Sequence, residues 1–239
     1  MRQRVLLLGA AGLVAPHIRA GLERHFDLRL ADIKPHPDGC AQLAVDIADY
    51  GQVLEAARGT DAILNFTVNR SDPVRSFAVN VQGALNVLRA AAELGIRRIV
   101  HTGPQLVISE YQHDFDIEDP PLRPGTGYYG ITKFLSLEMC RIYARTHGLE
   151  IVCFLFNGLR AKPAATVQGE DFPPFTIVWE DLVEACRLGL QAASIPGNYQ
   201  VFNLHSYQGH GKYPLAKAAR LLGYRPQEPV EQLYRRPVD

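Results

Sequence analysis

Val5-Leu-Leu-Leu-Gly9-Ala-Ala-Gly12-Leu-Val-Ala15 decides the reading of this 239-residue chain. An unbroken apolar run makes a strand buried on both faces, and the glycines after it turn the chain into a helix. Gly9 permits the tight turn, and Gly12 lets backbone approach a pyrophosphate at the helix N-terminus. Ala11 and Leu13 complete that turn, and Ala15 stands where a third Gly usually lets helix and strand pack closely. Asp32 closes the next strand, 20 residues past Gly12, the place for a carboxylate on a ribose diol. A carboxylate there repels a 2′-phosphate, so the expected cofactor is NAD.

Outward from this unit, strands and helices alternate, which argues for a parallel sheet covered on both faces. The expected strands are Arg4–Leu8, Asp27–Ala31, Ala41–Val45, Ala62–Phe66, Arg98–His101, Glu150–Leu155 and Gln200–Leu204. Helices are expected over Leu13–His25, Gly51–Arg58, Val74–Leu94, Tyr129–His147, Glu180–Leu190 and Pro214–Leu222. The fold class is therefore α/β, a Rossmann-type doubly wound sheet. Residues 1–155 form the dinucleotide-binding core, and 156–239 a small substrate-binding part interleaved with the last core elements. Gln105–Gly127 reads as an active-site loop, and Arg160–Phe175, with three prolines and two acids, as a mobile flap.

Composition bounds the function. Basic and acidic side chains number 25 each, a formal net charge of zero that offers no surface to nucleic acid or anionic membrane. The N-terminal apolar run is too short for a signal peptide or a spanning helix. Cys40, Cys140, Cys153 and Cys186 form no C-x-x-C pair and read as thiols in a reducing compartment, so the cytoplasm is the expected location. His205 and His210 flank a Gly-rich loop but lack acidic or Cys partners at ligand spacing, so no metal site is expected.

Tyr129-Gly-Ile-Thr-Lys133 supplies the candidate chemistry. Residues four apart on a helix share a face, so a phenol stands beside an ammonium. A cation favours the phenolate, and bringing a tyrosine to near neutrality takes roughly 4 kcal/mol of preferential phenolate stabilisation. The spacing alone is not decisive, because Tyr213-Pro-Leu-Ala-Lys217 repeats it; there the Pro marks a helix entry. Two strand ends add candidates. Asp46, in Val45-Asp-Ile47, suits an adenine amino group or, equally, a helix N-cap before Tyr50; Asn65-Phe-Thr67 lies where open α/β sheets bind ligands.

These residues, in this order, resemble the extended short-chain dehydrogenase/reductase superfamily, in its sugar epimerase/dehydratase and uronate dehydrogenase branch. The resemblance spans most of the chain. It adds Asn80-Val-Gln-Gly-Ala-Leu-Asn-Val-Leu-Arg-Ala-Ala, Arg98-Ile-Val-His-Thr102, Trp179-Glu-Asp-Leu-Val-Glu-Ala185 and a short C-terminal part ending Leu221-Leu-Gly-Tyr-Arg-Pro. It implies Tyr129 as general acid/base, with Lys133 holding the nicotinamide ribose and lowering the phenol pKa. It places Gly9, Gly12, Asp32, Asp46, Ile47 and Asn80 in the cofactor site, to which Asn65, Phe66, Thr67 and Phe156 are added as neighbours. It also implies a homodimer, paired through the helices at Val74–Leu94 and Leu135–Tyr143.

The chain departs from the family twice. A Ser-Ser pair is expected after the fifth strand, and His101-Thr-Gly-Pro104 stands there; Thr102 is the hydroxyl that could replace it. An Arg expected after the sixth strand is replaced by Phe154-Leu-Phe-Asn157-Gly-Leu-Arg160, leaving Arg160 or Arg70 for an anionic group. Gln105 and Asn157 are further substrate-contact candidates. The expected function is oxidation of a sugar or sugar-acid hydroxyl by NAD. An epimerase that retains NAD and a non-catalytic NAD sensor are the alternatives.

Overall fold

The computed structural model describes residues 2–111, 113–163, 175–207, 211–227 and 230. Seven strands form one parallel sheet: β1 (Arg4–Leu8), β2 (Asp27–Asp32), β3 (Leu43–Ala44), β4 (Ala62–Asn65), β5 (Arg98–Pro104), β6 (Glu150–Phe156) and β9 (Tyr199–Asn203). Their order is β3-β2-β1-β4-β5-β6-β9, with the strand order reversing across β1 and β4. That reversal opens the crevice in which doubly wound sheets bind ligands. β7 (Gly158–Arg160) and β8 (Thr176–Val178) pair separately.

The period-two alternation of strands builds two cores at once. On β1, Val5 and Leu7 enter one apolar cluster with Ala15, Ile18 and Leu22 of α1 (Ala15–Glu23). Leu6 and Leu8 enter the other, with Val53 of α2 (Tyr50–Ala57). The next helical run opens as α3 (Pro73–Ser76), passes through a π-helical turn over Phe77–Gln82, and continues as α4 (Gly83–Leu94). α4 and α5 (Tyr128–His147) cover the second face, and α6 (Trp179–Gln191) packs with α1 on the first. α7 (Ala216–Leu222) follows β9 and stops at Gly223, which takes the left-handed conformation.

Several boundaries move for identifiable reasons. α1 begins at Ala15 with Pro16 in its first turn, because residues 9–14 are spent on the turn itself. β3 keeps only its two residues paired with Ala31 and Asp32 of β2. β5 runs on to Pro104, since β6 continues to offer it partners as far as the Pro104–Phe156 register pair. The stretch expected as a loop after β5 begins with a 3₁₀ segment, Gln105–Tyr111. After residue 156 the chain divides: α6 and β9 join the main body, whereas β7 and β8 pair only with each other, with Ile177 of β8 still buried in the first core. Of the expected flap, 164–174 lie outside the described residues, as does His210.

Candidate active site

Gly9 adopts φ +82, and a Cβ there would meet the carbonyl carbon of Phe66 at 2.8 Å and the amide nitrogen of Thr67 at 2.9 Å. The glycine turn thus lies directly against the end of β4. The amides of Gly9 and Ala10 both donate to the Ala31 carbonyl, at 3.0 and 3.2 Å. Asp32 accepts from the Ala11 amide through Oδ2 (3.0 Å) and from the Lys34 amide through Oδ1 (2.9 Å). The carboxylate therefore stands at the mouth of the glycine turn. Leu13 is 74% exposed beside it. A backbone turn too close-packed to admit a side chain, with a carboxylate at its rim, fits a dinucleotide.

Asp46 holds its own turn, accepting from the Ala48 amide at 2.9 Å. It does not cap α2; that role falls to Asp49, whose carboxylate accepts from the Gln52 amide at 3.0 Å. Ile47 is buried against α4, where a Cβ on Gly83 would lie 2.7 Å from its Cγ2, and its carbonyl accepts from the Asn86 amide group. Asn80 sits in the π-helical turn with its side chain engaged inside the protein. Its Oδ1 accepts from the Asn69 amide (2.9 Å), and its Nδ2 donates to the Asn69 carbonyl (2.8 Å) and to Thr132 Oγ1 (3.0 Å). It therefore sets the loop that follows β4. Phe66 and Phe156 stack across the ends of β4 and β6, centroids 6.5 Å apart.

Tyr129 and Lys133 lie in the first turns of α5. Lys133 is buried, and its Nζ donates to the carbonyls of Thr67 and Thr102, each at 3.1 Å. The ammonium thereby lies between β4 and β5. Burial lowers the Lys133 pKa to about 8. Tyr129 is half-buried, and desolvation raises its pKa; the cation that opposes this is Arg70, not the expected Lys133. Arg70 is fixed by its backbone, since Tyr128 Oη donates to its carbonyl at 2.9 Å.

Because β5 extends past it, Thr102 lies within the sheet, and its Oγ1 donates to the Asn65 carbonyl at 3.0 Å. Its hydroxyl proton is committed inward, and its carbonyl serves Lys133. Gln105, immediately beyond β5, is buried with its Nε2 lacking a hydrogen-bond partner. Asn157 and Arg160 are exposed on and beside β7. A cavity of about 450 Å³ bordered by Phe134, Glu138, Leu155 and Tyr199 includes none of these residues. No cluster of metal-ligating side chains occurs among the described residues.

Residues 5–159 match the NAD dependent epimerase/dehydratase family, and the chain belongs to it. It is an enzyme of the NAD-dependent dehydrogenase and epimerase kind, with NAD as cofactor. Among curated relatives, L-arabinose 1-dehydrogenase (NAD(P)(+)) of Haloferax volcanii is 24% identical over 249 residues, spanning 94% of this chain and 96% of its own. Among solved structures, glucuronic acid dehydrogenase from Chromohalobacter salexigens is 25% identical with TM-score 0.81, covering 97% of this chain and 86% of that one. UDP-glucose 4-epimerase from Brucella ovis, in complex with NAD, shares the fold at TM-score 0.75 and 16% identity, covering 98% and 96%.

Proposed function

We propose that this chain oxidises a hydroxyl of a sugar or sugar acid with NAD. The carrying observation is the placement of Lys133 between β4 and β5, one helical turn from Tyr129 and one strand along from the strand-order reversal across β1 and β4. The sugar and uronate dehydrogenases similar to this chain support the substrate class. NAD, when bound, accepts the hydride. The glycine turn would hold its pyrophosphate, Asp32 its adenosine ribose, and Lys133 its nicotinamide ribose.

Tyr129 would take the substrate hydroxyl proton as the carbon loses hydride. The positive charge of Arg70 favours the phenolate this requires. Gln105 follows directly on the expected Ser-Ser positions, where Gly103 and Pro104 carry no polar side chain. Arg70, Asn157 and Arg160 are proposed to orient the rest of the substrate. Exposed Val74, Phe77 and Ile142 on α3, the π-helical turn and α5 support pairing of two copies through these helices. The free thiols of Cys140, Cys153 and Cys186, all buried, suit the cytoplasm.

The test is NADH formation at neutral pH with a panel of hexuronates and aldoses, beside Tyr129→Phe. The variant should lose about 10²–10⁴ in kcat, the usual worth of a positioned acid/base. Full retention of rate contradicts the assignment. Silence across the panel, in protein that binds NAD, favours the epimerase or sensor reading.

A further inference from the structure

His101, on β5, is 3% exposed and lies between β4 and α5. Its Nδ1 is 3.3 Å from Asn65 Nδ2, and its Nε2 is 3.0 Å from Ser136 Oγ. Only one assignment satisfies every group. Asn65 Oδ1 already accepts from the amide and hydroxyl of Thr67, at 3.0 and 2.6 Å, so Asn65 Nδ2 is the donor and His101 Nδ1 the acceptor. The ring proton then sits on Nε2 and is donated to Ser136 Oγ, which in turn donates to the Lys133 carbonyl at 2.7 Å. Lys133 Nζ returns to the Thr67 carbonyl at 3.1 Å. The circuit closes: Lys133 is held at its backbone by Ser136 and at its ammonium by Thr67, and both lead back to Asn65 and His101.

We infer that His101 is a positioning residue, a neutral Nε2–H imidazole that fixes the helical turn and ammonium of Lys133 without touching substrate. This rests on Lys133 acting as proposed above. A protonated ring would leave Nδ1 facing the Asn65 amide donor to donor, and would set a second cation beside Lys133. Burial and the Lys133 charge both oppose that, and hold the His101 pKa down to about 3. The remaining groups facing Lys133 are the thiols of Cys140 on α5 and Cys153 on β6, both of which favour its ammonium. An aromatic hydrocarbon at position 101 would fill the same space and leave Asn65 Nδ2 without its acceptor and Ser136 Oγ without its donor, loosening Lys133. Displacement of a catalytic group by about 1 Å costs on the order of 10²-fold.

The test uses the full-length protein in two arms. Nitrogen-15 NMR of histidine-labelled protein, assigned by loss of the signal in His101→Gln, reads the tautomer without turnover. The inference expects a neutral Nε2–H ring from pH 5 to 9; an Nδ1–H ring, or protonation near pH 6.5, overturns it. The kinetic arm compares His101→Phe with His101→Gln, whose amide offers both an acceptor and a donor. The Phe variant should lose about 10- to 100-fold in kcat, with substrate KM little changed and the alkaline limb of its pH profile displaced from that of the natural protein. Gln should restore most of the rate and the limb. Equal profiles for Phe, Gln and the natural residue overturn the inference. If no NAD-dependent turnover exists, the function proposal fails, and the tautomer still decides the His101 assignment.

Discussion

Gly9 and Asp32 act on the same turn from opposite directions, one by lacking a side chain and the other by supplying one. Both are legible in sequence because their spacing follows from backbone geometry. Gly9→Ala would add a strained φ and a collision with backbone atoms of Phe66 and Thr67, which cannot rotate away. It should destabilise by about 1–3 kcal/mol and weaken NAD binding, measured by urea unfolding and NAD titration; an unchanged midpoint and affinity would refute the cradle. Less legible are roles set by contacts distant in sequence. Capping of α2 passes from Asp46 to Asp49, and the Tyr129 phenol is governed by burial and Arg70. Neither the inward turn of the Thr102 hydroxyl nor the His101–Ser136 bond is visible before β4, β5 and α5 are brought together.

At the scale of elements, apolar runs and their glycine stops locate the sheet and its helices, and what escapes is where pairing ends. A strand continues while its neighbour offers partners, so β5 reaches Pro104 because β6 reaches Phe156. The π-helical turn at Phe77–Gln82 is likewise unmarked by periodicity. Its use is to carry Asn80, which binds both backbone groups of Asn69 and the Thr132 hydroxyl of α5. Asn80→Ala would leave the part-buried Asn69 amide without its acceptor and take one partner each from the Asn69 carbonyl and the Thr132 hydroxyl, and should cost about 1–3 kcal/mol. The loop bearing Arg70 should lose its setting beside Tyr128, lowering kcat as well. Unfolding curves and turnover check this, and a variant of natural stability would show that the π-helical turn is held by other contacts.

Across the whole molecule, the C-terminal part is tied to the core by a buried carboxylate. Asp181 on α6 accepts from Ser206 Oγ at 2.5 Å and from the Gln227 amide at 2.7 Å, while Ser206 Oγ accepts from the Val178 amide. The sequence shows Asp181 only as part of a family-like helix; its anchoring role needs the chain after β9 folded back upon it. Whole-molecule stability should also carry the His101 signature. The native ring resists protonation down to about 3, whereas an unfolded one titrates near 6.5, so the unfolded chain binds the extra proton between these values. Stability from this group is complete above pH 6.5 and falls as pH drops through the window, by up to about 1.4 kcal/mol per pH unit. Urea titrations from pH 7 to 4 should show a shallower decline in His101→Gln than in the natural protein; equal slopes would place the acid sensitivity elsewhere.

Hydride transfer itself gives the most direct measurement. The protein is mixed with NAD and with sugars or uronates deuterated at the carbon to be oxidised, and the released dinucleotide is analysed by mass. Net formation of deuterated NADH, abolished in Tyr129→Phe, is the predicted result. Inverted sugar without net reduced dinucleotide, or bound NAD that never acquires deuterium, would contradict a dehydrogenase.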